Sequence, residues 1–208
     1  MELSKYLSEN DHRTLLKWRN VNADLRPLLV QTLQHLEPNF NEGKLDKIVT
    51  HLSYFIARDD KFSGDLNKGI ILAGSTGVGK TLLLTAFQKL MRYVHPQLGF
   101  KVFKGNQMER MYQNEDKDNL EQALRYACFG FDDIGEEHDY VMVYGSKINI
   151  GKEVLDQRHL QFMNKGQLTF GTTNLNEELF RKKYGQRIDS RRHEMFNWIP
   201  INGKDHRI

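Results

Sequence analysis

Gly74-Ser75-Thr76-Gly77-Val78-Gly79-Lys80-Thr81 matches G-x-x-x-x-G-K-[ST] at every fixed position. Just before it, Gly69-Ile70-Ile71-Leu72-Ala73 is a short apolar run, which predicts a buried strand. Just after it, Thr81 to Met91 repeats apolar residues at helical spacing. A strand, a glycine-rich turn and a helix in that order make a phosphate-binding loop. The glycines let successive backbone N–H groups wrap an anion without side-chain clashes, and the helix N-terminus adds partial positive charge.

Within this loop Lys80 is expected to reach the terminal phosphates of ATP and the Thr81 hydroxyl to bind Mg²⁺. Thr76 and Val78 lend their amides; Gly74, Ser75, Gly77 and Gly79 complete the cradle. Such a site also needs a carboxylate near the metal. Ala127 to Phe131 reads as a further apolar strand, and it runs directly into Asp132-Asp133-Ile134-Gly135-Glu136-Glu137. Ligands bind at the C-terminal ends of parallel strands. Asp132 is therefore expected to organise Mg²⁺, and Asp133 to polarise the attacking water. Leu168 to Thr172 reads as another strand, followed by Thr173 and Asn174. A carboxamide at that edge can orient a water by donating and accepting hydrogen bonds. Asn176, ahead of Glu177 and Glu178, has the pattern of a helix cap.

Further strands and helices fall around these. Phe100 to Phe103 reads as a strand; Met108, Met111 and Tyr112, then Leu120, Ala123 and Leu124, as two short helices; Val154 to Met163 as a longer one. The alternation predicts an α/β fold with a mostly parallel sheet flanked by helices. The first ~65 residues differ. Pro27 stands where a helix begins, Leu25, Leu28, Leu29 and Leu36 recur at helical spacing, Glu37-Pro38-Asn39 interrupts the pattern, and Leu45, Ile48, Val49, Leu52, Phe55 and Ile56 form a second stripe.

The order of these motifs resembles AAA+ P-loop ATPases, and within them the DnaC-type helicase loaders and IstB-type transposition helpers. The match spans residues 68–208: the P-loop, Phe131 to Glu137, Thr172 to Asn176 (similar to sensor 1), and Tyr184-Gly185-Gln186-Arg187-Ile188-Asp189-Ser190-Arg191-Arg192. Tyr144-Gly145 through Asn149 to Arg158 is similar to phage and mobile-element versions. The resemblance implies that Arg191 is an arginine finger acting on a neighbouring subunit's nucleotide, with Arg187 the second candidate. It implies that Arg207 is a sensor 2 residue contacting nucleotide within its own subunit. The chain departs from the family in placing Asp133 where many members carry glutamate, which leaves Glu136 and Glu137 as alternative carboxylates. No helical lid is expected after Arg207.

The resemblance divides the chain into a helical N-terminal partner-binding segment (1–65) and an AAA+ domain (66–208). It implies an ATPase of DNA replication that grips a replicative helicase through residues 1–65, assembles as a homo-oligomer and meets single-stranded DNA. The IstB-like alternative is a transposition helper that binds duplex DNA and a transposase. A third reading is a nucleotide-gated binding module with little hydrolysis. Composition is compatible with all three. In 208 residues, 39% are hydrophobic and 27% charged, enough to bury a core, and the net charge of +3 is too small to argue for nucleic acid by itself. No run approaches the ~20 apolar residues needed to cross a bilayer. The single Cys128 cannot form an internal disulfide, and a cytoplasmic setting is expected.

Overall fold

The computed structural model describes residues 21–41, 43–113, 117–143 and 145–202. Its elements are α1 (Arg26–Leu36), α2 (Asp46–Ala57), β1 (Gly69–Ala73), α3 (Lys80–Val94), β2 (Val102–Lys104), α4 (Gly105–Gln113), α5 (Lys117–Ala123), β3 (Cys128–Ile134), β4 (Val141–Val143), β5 (Ser146–Ile148), α6 (Ile150–Lys165), β6 (Leu168–Thr173), α7 (Glu177–Tyr184), α8 (Gln186–Met195) and β7 (Phe196–Pro200). The four predicted strands are present. They lie in one five-stranded sheet of order β2-β3-β6-β1-β7, and every pairing in it is parallel.

Alternation along the strands sends side chains to two separate cores. Ile70 and Leu72 of β1 join Phe170 of β6 on one face, against Leu83, Phe87 and Leu90 of α3. Ile71 points the other way, into a core with Phe129 and Phe131 of β3, Val154 and Leu155 of α6 and Phe180 of α7. On the first face the N-terminal helices add a further layer. Leu29 and Leu33 of α1 and Val49, Leu52, Phe55 and Ile56 of α2 belong to the same cluster as Phe87 and Phe170. Phe55 meets the Phe170 ring edge-on at 5.8 Å. Residues 25–57 therefore share a core with the sheet, and the boundary expected at 65/66 falls within that core. Phe103 and Tyr112 are core residues too.

Local chemistry sets several element ends. Pro27 occupies the first turn of α1. Asn149 and Asn176 cap α6 and α7 by accepting from Lys152 N and Leu179 N at 2.7 and 2.8 Å.

The helical layer also holds two histidines whose protonation burial opposes. His95, at the end of α3, is buried and donates from Nε2 to Ile56 O at 2.8 Å. His51 stacks on Phe62 with centroids 4.2 Å apart. Burial lowers both pKa values below the ordinary 6.5. Below about pH 6.5 the unfolded chain therefore binds protons that the folded chain refuses, so stability falls on acidification, by at most about 1.4 kcal/mol per pH unit for each group. Urea midpoints should drop between pH 7.5 and 5.5, and His95→Gln, which can still donate to Ile56 O, should flatten that slope. A midpoint that is unchanged or higher at pH 5.5 would contradict this account.

Candidate functional site

β1 ends at Ala73 and the chain turns through residues 74–79 into α3. The turn leaves no space for side chains where it crosses the sheet edge. A Cβ on Gly74 would lie 2.4 Å from Ile201 O, and Gly79 has φ +91°, a conformation L side chains rarely adopt. Lys80, the first residue of α3, is only 5% exposed. Its Nζ donates to Gly74 O at 2.8 Å, Ser75 O at 2.7 Å and Asn174 Oδ1 at 2.6 Å.

Beside it, Thr81 Oγ1 lies 3.0 and 3.2 Å from the two carboxylate oxygens of Asp132, which is 2% exposed. Thr172 of β6 completes the group. Its hydroxyl donates to Asp132 Oδ1 at 2.7 Å and accepts from Asp133 N at 2.8 Å. The pairing of β3 with β6 slips between Phe131 and Ile134, and Asp133 takes a left-handed φ of +57°. This bulge brings two consecutive aspartates within reach of the same Lys104 ammonium, where a regular strand would send them to opposite faces. Lys104, in register with Asp132 across the β2–β3 pair, places Nζ 2.9 Å from Asp133 Oδ2 and 3.5 Å from Asp132 Oδ2. Its hydrogen bond to Asp133 raises the Lys104 pKa above its ordinary value, so the lysine stays charged.

The other two carboxylates of the turn differ sharply. Glu136 is exposed at the cleft, and Asn174 Nδ2 donates to its Oε1 at 2.6 Å. Glu137 is buried. It accepts from Gly135 N at 2.9 Å and from Tyr184 OH at 2.5 Å, and Lys183 Nζ caps its backbone carbonyl at 2.9 Å. Burial, and next the charge of Glu137, push the Tyr184 phenol pKa up, so Tyr184 remains a donor. Glu137 thus ties the acidic turn to α7 and has no oxygen turned to the cleft.

The resulting cleft has a volume of about 1140 Å³. Lys80, Thr81, Asp133, Glu136, Asn174 and Lys104 line one side, and Glu37, Asn39, Phe40 and Asn41, between α1 and α2, line the other. Among the described residues no cluster of three or more histidine, cysteine, aspartate or glutamate side chains is placed to hold a metal. A hydroxyl and a carboxylate converging at Thr81 and Asp132 are hard oxygen donors. They suit Mg²⁺, which keeps several waters and needs few protein ligands when phosphate supplies the rest.

The structure thus brings Lys80, Thr81, Asp132, Asp133 and Asn174 together. Arg191 is placed elsewhere: it pairs with Asp156 of α6 and does not line the cleft. Arg187 is exposed, with no ion pair among the described residues. The neighbouring Arg192 is buried, bonded to Asp189 and Glu177 and set 4.6 Å over the Trp198 ring. The basic stretch 181–193 is therefore not one uniform charged face. Arg207 lies outside the described residues. Sequence reasoning missed Lys104, Thr172 and the 37–41 loop. Thr172 carried a signal, as the strand residue two before Asn174; Lys104 acquires meaning only once the β2–β3 register is known.

The chain matches no protein-family model and no curated protein. Among solved structures it resembles a DnaC helicase loader, with a TM-score of 0.60 and 20% identity over 80% of this chain and 96% of that one. It resembles DnaI with a TM-score of 0.60 and 21% identity, covering 86% of this chain and 92% of that one. AMPPCP-bound DnaA from Aquifex aeolicus follows at 0.52 and 15%, covering 80% of this chain and 49% of that one. No helix among the described residues is long and apolar enough to cross a membrane. With a parallel five-stranded sheet, a phosphate loop at the end of β1 and these likenesses, the chain has the AAA+ P-loop NTPase fold, in the form that the DnaC and DnaI structures share.

Proposed function

We propose that this chain binds Mg²⁺·ATP and hydrolyses it slowly, in an assembly-dependent way, as a DnaC-like cytoplasmic loader of a replicative helicase. One observation carries the nucleotide reading: Lys80, Thr81 and Asn174 line one cleft beside the phosphate loop, with Asp132 of β3 hydrogen-bonded to Thr81. Lys80 exchanges the Gly74 and Ser75 carbonyls for phosphate oxygens and keeps the Asn174 carboxamide. The loop amides bind the anion, Thr81 and Asp132 hold the metal, and Asn174 positions a water. Bound Mg²⁺ would neutralise phosphate charge. Phe40 and Asn41, across the cleft, supply an apolar ring and an amide at the side away from the acidic turn. The DnaC and DnaI likenesses favour a helicase over a transposase as partner.

The N-terminal segment 1–65 is assigned to that partner, and single-stranded DNA and other copies of the chain to the ATPase part. Arg191 would have to leave Asp156 to reach a neighbour's nucleotide. Arg187 faces solvent one helical turn earlier and needs no such release, so the two arginines share the assignment. Asp133 held by Lys104 is the observation behind the alternative of a nucleotide-gated module that hardly turns over.

Calorimetry should give a micromolar or tighter dissociation constant for ATP that weakens when Mg²⁺ is chelated, and the purified chain should co-elute with a replicative helicase from the same host. No magnesium-dependent affinity would overturn the nucleotide reading. Binding of ATP without helicase association would overturn the loader role alone.

A further inference from the structure

We propose that Glu136, and not Asp133, is the carboxylate that orients the attacking water and takes its proton; this rests on the ATPase reading above. Three acidic side chains follow Asp132, and the structure gives each a different task. Glu137 is buried, with Oε1 on the Tyr184 hydroxyl and Oε2 on the Gly135 amide. Asp133 faces the cleft, but its carboxylate is committed to Lys104 at 2.9 Å, an ammonium that competes with any water for the same lone pairs. Its left-handed backbone is pinned by the Thr172 hydroxyl at 2.8 Å, so the bulge aims the side chain toward β2. Glu136 lines the cleft, is exposed, and has Oε2 without a partner among the described residues.

The neighbour of Glu136 explains why it suits the role. Asn174 bridges it to Lys80, with Oδ1 accepting from the ammonium at 2.6 Å and Nδ2 donating to Glu136 Oε1 at 2.6 Å. Only this orientation of the amide satisfies both charged neighbours, so the carboxamide is fixed by its partners. Lys80 binds the terminal phosphates, and the line Lys80–Asn174–Glu136 sets a carboxylate one side chain away from them. Glutamate at this position also supplies the reach that aspartate at 133 lacks. In the step itself the water oxygen forms a bond to the terminal phosphorus. The bond from that phosphorus to the bridging oxygen breaks, and its electron pair leaves with ADP. The water proton passes to the Glu136 carboxylate and on to solvent.

The test compares full-length wild type, E136Q and D133N in three measurements: Mg²⁺·ATP affinity by calorimetry, single-turnover hydrolysis, and the identity of the nucleotide that stays bound through gel filtration. Glu136 is exposed, so E136Q should fold as wild type does. It is expected to bind ATP within about threefold of wild type and to lose about 100-fold or more in single-turnover rate, the usual range for a lost general base. It should also retain ATP, not ADP, through gel filtration. D133N, which removes one of the two charges facing Lys104, should keep at least about ten times the E136Q rate. Turnover by E136Q within about threefold of wild type, or a D133N rate below that of E136Q, would overturn the assignment. A wild-type chain that binds ATP and never hydrolyses it would overturn it as well while leaving nucleotide binding intact. A wild-type chain with no magnesium-dependent affinity would instead sink the functional reading on which it rests.

Discussion

A Lys80→Ala chain is expected to lose about 100-fold or more in affinity for Mg²⁺·ATP and to show no measurable turnover. The size follows from the contacts the ammonium makes. Hydrogen bonds between charged groups contribute about 1.5–3 kcal/mol each, and a lysine spanning two phosphates makes at least two, against about 1.4 kcal/mol per tenfold in affinity. The loss should be specific. Lys80 donates to two loop carbonyls and the Asn174 carboxamide at the edge of the cleft. Water can replace the ammonium there, so the melting temperature should stay within a few degrees of wild type. Lys80→Arg keeps the charge but offers a planar fork in place of a compact tetrahedral donor, and should recover only part of the affinity. Calorimetric titration of ATP with thermal melts on the same samples checks both halves. Wild-type affinity in Lys80→Ala would remove the lysine from the site.

The phosphate loop and the strands that feed it were legible because their signals are local. A glycine-rich turn, an apolar run before it and a helical stripe after it are each contained in about ten residues. The stripes at Leu25 to Leu36 and Leu45 to Ile56 were legible for the same reason, but periodicity shows which face is buried and not what it is buried against. That α1 and α2 cover Phe87 and Phe170, and that the loop between them walls the cleft, depends on contacts with residues far along the chain. β7 escaped notice because Phe196-Asn197-Trp198-Ile199-Pro200 is short, interrupted by asparagine and closed by proline; it is an edge strand, where proline is tolerated. The β4–β5 hairpin has only three residues to a strand.

In the site, the gap lies in pairing. The acidic run 132–137 announced carboxylates, but only the three-dimensional partners separate them: Lys104 for Asp133, Asn174 for Glu136, Tyr184 for Glu137. Arg191 shows the same gap. Its place after Asn174 and Tyr184-Gly185 is visible in sequence order, and its ion pair with Asp156, on a helix that precedes β6, is not.

Arg158 is where a sequence motif proves to serve the fold, and its removal should cost the most stability. The side chain is 0% exposed, the largest among those fully buried. Nε donates to Thr169 Oγ1 at 2.8 Å, Nη2 to Leu168 O at 2.6 Å, and Nη1 to Leu124 O at 2.6 Å and Tyr126 O at 3.0 Å. The guanidinium also lies 5.5 Å over the Phe129 ring. No carboxylate appears among these partners. Burial draws its pKa down to about 10, so the group remains a cation at neutral pH, held by backbone carbonyls and the Thr169 hydroxyl. It thereby joins α6 to the loop after α5 and to the first residues of β6, the strand whose far end presents Thr172 and leads to Asn174. Arg158→Leu removes the cation and its hydrogen bonds to three carbonyls, at about 1–3 kcal/mol for each carbonyl that nothing else satisfies. With partial relaxation the loss should be about 3–5 kcal/mol, a large fraction of the 5–15 kcal/mol typical of a domain. Arg158→Lys retains a donor that reaches fewer carbonyls and should fall between the two. Urea unfolding at neutral pH measures the difference; a loss below about 1 kcal/mol for Arg158→Leu would mean that the carbonyls find other partners. Because Arg158 does not line the cleft, the variant that remains folded should bind Mg²⁺·ATP with nearly wild-type affinity, which separates its role from that of Lys80.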